Sequence, residues 1–203
     1  LSCLALPAAE PVAAPSRLGI NLSGFADWNT EHPLVDVFRL SRRWISQKQG
    51  EAWGKGPALD LDARGWIRRL DADSFAETPV LTGGHAPVGD YTCLYEGSGR
   101  IEFGANARIV TRQPGRIVVN INARTGGTFL QIRQTDPNNP MRNIRLIMPG
   151  FEQTYRQEPF HPAFLERWRG FDTLRFMDWM DTNGSKQRDW EDRPRLDHAT
   201  WTV

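Results

Sequence analysis

GDYTCLYEGSGRIEFGANARIVTRQPGRIVVNINARTGGTFLQIRQ, residues 89–134, reads as a succession of short strands. DYTCLYE (90–96) alternates apolar and polar side chains, and GSG (97–99) turns it into RIEF (100–103). RIVT (108–111) and RIVVNINA (116–123) flank Gln113-Pro114-Gly115, and Gly126-Gly127 leads into TFLQIRQ (128–134). Side chains of a strand point alternately to its two faces, so a period of two between Gly or Pro turns marks a half-buried strand. Several such strands in close succession predict an antiparallel, jelly-roll-like β-sandwich. WI at 66–67 and PVL at 79–81 extend the pattern upstream, and the turn-rich DPNNP at 136–140 closes it. The sandwich is assigned to residues 49–142.

The flanks follow other rules. RLGINLSG (17–24) predicts a strand with Leu18, Ile20 and Leu22 apolar, followed by an aromatic loop at 25–32 that contains Trp28. Residues 33–47 mix helical and extended periods, and a helix with Pro33 in its first turn is expected. Gly50, Gly54 and Gly56 make the next stretch loop. After the sandwich, PAFLERWRG (162–170) predicts a short helix with Phe164, Leu165 and Trp168 on one side, and TLRFMDW (173–179) predicts a strand. Helix, strand, polar loop is the order of α/β architecture.

Residues 1–15 are apolar and small, and Glu10 is their one charge. They read as the tail of a signal peptide without its basic start, with Ala8, Ala9, Ala13 and Ala14 as cleavage candidates. LSC at 1–3 alternatively ends a lipoprotein box, which would leave Cys3 lipidated. A secreted or periplasmic product is expected, and nothing downstream is long and apolar enough to span a membrane. A formal net charge of +1 lacks the surplus that a nucleic-acid partner requires. Cys93 would be alone in the mature chain and reads as a core thiol. His32, His85, His161 and His198 have no metal-ligand spacing, so no metal and no cofactor is expected. The Gly-x-Gly runs at 54–56 and 97–99 do not continue into a phosphate-binding fingerprint, and there is no serine nucleophile elbow. Eight Trp residues either pack the core or offer flat faces to sugars. A lectin-like sandwich would show Trp53, Trp66, Tyr91 and Tyr95 as an exposed row, whereas a scaffold would turn them to the core.

The segments GINLSG (19–24), SRRW (41–44), GDYTCLYEGSG (89–99), NIRLIMPG (143–150) and LRFMDW (174–179), with TNG at 182–184 and WEDRP at 190–194, resemble a group of bacterial secreted proteins. These are often labelled cellulose-binding and are similar to the retaining (β/α)8 glycoside hydrolases of the clan that includes cellulases and mannanases. The resemblance implies that GINL is the first barrel strand and LRFMDW the second. The sandwich is then an insertion between them. In the other layout it precedes a barrel that starts near Ile144. The two differ in whether 18–22 pairs with 174–177. The implied segments are a leader or linker (1–16), first barrel strand and helix (17–48), sandwich (49–142) and start of a barrel (143–203). About 60 residues cannot complete a barrel of roughly 250, so a sequence truncated at both ends is expected.

The implied function is that of the amino-terminal part of a secreted glycoside hydrolase acting on a plant or microbial polysaccharide. The alternative is a non-catalytic polysaccharide-binding protein. Either way a monomer with a poly- or oligosaccharide as partner is expected. Retaining enzymes need two carboxylates about 5 Å apart, carried in that clan on strands four and seven, beyond this chain. No catalytic pair is therefore assigned, and Glu152, Asp178, Asp181, Glu191 and Asp192 read as solvated acids or partners of Arg. Arg175 matches the clan's Arg that orients the nucleophile. Strand alternation would aim it into the barrel and demand a carboxylate partner. Asn21, Trp28, Asp178, Trp179 and Asn183 are the implied sugar-binding residues.

Overall fold

The computed structural model describes residues 18–201, so the expected leader at 1–16 lies outside the described residues. In chain order the elements are β1 (Gly19–Asn21), β2 (Ile45–Lys48), β3 (Asp60–Leu61), β4 (Ile67–Arg69), β5 (Ser74–Leu81), β6 (Gly89–Glu96), β7 (Gly99–Ala105), β8 (Ala107–Gln113), β9 (Arg116–Ile121), β10 (Thr128–Thr135), β11 (Arg142–Ile147), α1 (Pro162–Trp168) and β12 (Thr173–Arg175). Each strand expected within 89–134 forms within a few residues of its expected bounds.

Two four-stranded antiparallel sheets result, in the orders β2-β5-β10-β7 and β11-β6-β9-β8. Alternation decides which side chains meet between them. Ala76, Val80, Ile101, Leu130 and Ile132 of the first sheet share one buried cluster with Tyr91, Cys93, Ile117, Val119, Ile121 and Leu146 of the second. Full burial of each large aliphatic side chain stabilises by about 1.5–3 kcal/mol, so the shared layer makes the pair a β-sandwich. The sandwich is wider than 49–142, because β2 and β11 are edge strands of its sheets. The turn between β6 and β7 depends on Gly97. Its φ is +88°, and a Cβ there would come within 2.2 Å of the Pro140 carbonyl oxygen.

The helix expected at 33–47 does not form. Residues 33–36 run extended, the Val35 N–H donates to Pro159 O (3.0 Å), and the Val35 carbonyl accepts from the Met148 N–H (2.9 Å). One 3-10 turn, Val37–Leu40, follows before β2. Val35, Val37, Phe38 and Leu40 are all buried. Apolar positions needed on every side, together with sheet-like bonds to residues 148–159, outweigh a weak helical period.

The ring positions also differ from a lectin-like row. Trp66 and Tyr91 face the core, Tyr95 packs half-buried against it, and Trp53 stands exposed. Cys93 is a buried free thiol, and burial pushes its pKa up.

β1 and β12 lie apart from both sheets and pair in parallel, Gly19 opposite Thr173, Ile20 opposite Leu174 and Asn21 opposite Arg175. The chain therefore leaves β1, builds the whole sandwich, and returns through α1 to lie beside β1. Of the pairings that separate the two expected layouts, 18–22 with 174–177 is the one that forms, over Gly19–Asn21 and Thr173–Arg175. β12 is shorter than the expected 173–179: after Arg175 the backbone turns, with the Met180 N–H on Phe176 O and the Thr182 N–H on Met177 O. Among the described residues the parallel sheet has these two strands. No helix among them is long and apolar enough to cross a membrane.

Candidate functional site at the carboxyl ends of the parallel strands

The carboxyl ends of two parallel neighbours splay their following loops apart and leave a crevice. Here the Leu22 N–H donates to Arg175 O (2.9 Å), which carries the pairing one residue past β1. Asn21 Nδ2 then donates to Asp178 Oδ2 (2.6 Å). Gly24 lets the two loops touch, since a Cβ there would meet Asp178 O at 2.7 Å. The next residues are aromatic on both sides. Phe25 and Trp179 meet with ring centroids 4.3 Å apart at 60°, and Trp179 also contacts Phe164 and Phe176.

Trp179 forms one wall of an open cleft of about 720 Å³ whose lining includes Phe25, Phe160, Arg193, Arg195 and Trp201. Its far wall is the segment 195–201. That segment is tied down through main-chain carbonyls. Leu196 O accepts from Arg39 and from Arg145 (2.9 Å), Asp197 O from Trp66 Nε1 (2.7 Å), and His198 O from Arg39 (2.8 Å). A half-buried indole beside a carboxamide–carboxylate pair matches the face and the hydroxyls of a sugar ring.

Sequence reasoning placed Asn21, Asp178 and Trp179 at one rim, and these three do come together. Asn183 is exposed nearby, its Nδ2 3.7 Å from the Met177 sulfur. Arg175 is exposed. Its Nη2 lies 3.0 Å from the same sulfur, and no carboxylate is within ion-pair distance among the described residues. The expected inward aim is not found, because all three residues of β12 are exposed. Trp28 goes elsewhere. It is exposed under the Arg42 guanidinium (5.0 Å) and shares no ring contact or hydrogen bond with Asp178, Trp179 or Asn183.

The remaining acids have structural partners or none of note. Glu152 takes Arg116 by two bonds of 2.7 Å and Thr92 Oγ1 at 3.1 Å. Those bonds hold its carboxyl below the usual range. Asp192 accepts the N–H groups of Arg188 and Asp189 and caps a 3-10 turn, Trp190–Asp192. Asp181 accepts two N–H groups through its carbonyl in the turn after Trp179. Glu191 is exposed. Phe25, Phe160, Arg193, Arg195 and Trp201 were not singled out from sequence. Arg195 and Trp201 reach the cleft through the placement of segment 195–201, and no spacing encodes that placement. Among the described residues no cluster of His, Cys, Asp or Glu suits a metal ion.

His32 sits two residues before Leu34, which lines the cleft. It precedes the Leu34–Phe160 bridge, has φ +44°, and both ring nitrogens are buried without a hydrogen-bond partner. Burial, with repulsion from His161 and His85, holds its pKa below the ordinary 6.5. The fold therefore favours the neutral ring. Its contribution is fully present above pH 6.5 and is lost as pH falls below that value. Urea midpoints measured across this range should drop on acidification. His32→Asn, which tolerates the left-handed backbone, should drop less; equal slopes would remove His32 as the cause.

No known family, curated protein or solved structure matches this chain.

Proposed function

We propose that the chain is part of an exported carbohydrate-active protein that holds a polysaccharide in the cleft between Trp179 and Trp201. β1 and β12 act as the first two strands of a (β/α) barrel into which the sandwich is inserted. The observation that carries this reading is the convergence, at the carboxyl ends of two parallel strands, of the Asn21–Asp178 pair with Trp179 and Phe25. In barrel proteins that end is where ligands bind. In the catalytic form of the reading, Arg175 orients a nucleophilic carboxylate. Non-catalytic binding is the second form, which needs the aromatic cleft and no catalytic carboxylates.

Binding and hydrolysis of soluble β-glucans and mannans test both forms. Trp179→Ala should weaken retention of glycan by about tenfold through loss of stacking area. In the complete protein, Arg175→Ala should leave retention intact and reduce turnover by about two orders of magnitude, the size of other fixed electrostatic groups. Arg175→Lys should not restore it. Retention without turnover in the parent protein selects the binding form, and absence of retention rejects both.

A further inference from the structure

We propose that the glycan in this cleft is anionic, a uronate-containing polysaccharide whose carboxylates engage Arg193 and Arg195 while sugar faces lie on Trp179 and Trp201. This rests on the glycan reading above and narrows it to a substrate class. The chain as a whole is nearly neutral, at +1, and many guanidiniums of the sandwich are matched by acids, as in Arg42–Asp27, Arg116–Glu152 and Arg142–Glu96. The two guanidiniums of the cleft lack such partners. Arg193 donates to its own chain at Trp190 O and stacks on the Trp190 ring at 3.5 Å. Neither it nor Arg195 has an acid within ion-pair distance among the described residues. Asp197, the acid of the lining, is held by Arg64 at 3.0 Å.

The charge balance differs across the ridge. Leu196, Asp197 and Trp201 also line a second cleft of about 890 Å³. There Asp36 is matched by Arg39 and Arg145, and Glu96 by Arg142. Arg156 is left on the Tyr155 hydroxyl (3.0 Å). The lining of this second cleft carries three guanidiniums, Arg39, Arg145 and Arg156, against three acids, Asp36, Glu96 and Asp197, so the surplus of positive charge is confined to the first cleft. A guanidinium fork binds a carboxylate through two parallel bonds, and aromatic walls strengthen that attraction by lowering the local dielectric. Two guanidiniums beside aromatic walls in the first cleft suit a polymer with repeated carboxylates.

The test is binding of the whole chain to polygalacturonate, to the same polymer after carboxyl reduction, to a neutral β-glucan and to a sulfated galactan. Polygalacturonate should bind about tenfold or more tightly than its reduced form, and the gap should shrink with added salt. Arg193→Gln with Arg195→Gln should lose that gap and keep the affinity for the reduced polymer, while Trp179→Ala should weaken both. Equal affinity for the charged and reduced polymers overturns the inference and leaves the glycan reading standing. Tighter binding of the sulfated galactan overturns the assignment to carboxylates. Binding to none of the four overturns the inference together with the reading beneath it.

Discussion

Trp66→Ala is expected to lower the unfolding free energy by about 3–5 kcal/mol, the range for removing a large core aromatic. Trp66 is 2% exposed, and its ring stacks on Phe38 with centroids 6.1 Å apart at 10°. Its Nε1 also donates to Asp197 O at 2.7 Å. The residue therefore joins the sandwich core to the segment that walls the cleft. Trp66→Phe keeps most of the apolar volume and loses the donor, and should cost about 1–3 kcal/mol, the penalty of an unmet buried partner. Urea unfolding of the three proteins measures both steps. A Trp66→Ala protein within about 0.5 kcal/mol of the parent, as for a surface change, would mean that the ring is not a core element.

Arg39→Ala should be comparably severe, about 3–5 kcal/mol, because it strands a buried partner. Arg39 is 3% exposed, with Nε 3.3 Å from Asp36 Oδ2, its other nitrogens on Leu196 O and His198 O, and Trp201 beneath it at 4.5 Å. Asp36 is buried enough that desolvation outweighs the pull of Arg145 and of the Leu146 N–H and lifts its pKa from 3.8 to about 7. The sign follows from linkage. A carboxyl that binds its proton more tightly when folded contributes stability that is present below pH 3.8 and is lost as pH rises through about 7. Asp36→Asn should flatten that dependence. The loss on Arg39→Ala should be larger at pH 8 than at pH 5, where Asp36 can take up a proton. Trp66 and Arg39 hold the same segment, so the double variant should cost less than the two single changes together. Full additivity would show that residues 195–201 are not a shared element.

The sandwich was legible because its strands carry their own signal. Alternation in DYTCLYE and RIVVNINA, cut by Gly and Pro, is a local pattern that needs no distant partner to be read. Residues 33–47 were not legible in the same way. Their apolar side chains satisfy a burial demand from all sides, and the backbone bonds that replace a helix come from Pro159 and Met148, more than a hundred residues away. At the site, Asn21, Asp178 and Trp179 come together because they follow directly from the ends of two paired strands. Arg175 was expected to point inward because strand alternation was extended to Trp179, whereas the strand stops at Arg175.

By itself the amino-acid sequence determined the strand content and the buried thiol Cys93, both of which depend on neighbours within a few positions. Tertiary structure decided that β1 and β12 pair across the whole sandwich, that Trp66 and Tyr91 turn inward while Trp53 does not, and that segment 195–201 closes over Arg39 and Arg145 to make a cleft. Those outcomes depend on which faces are left to cover once the sheets have packed. That is set by contacts between residues far apart in the chain, which no local period records.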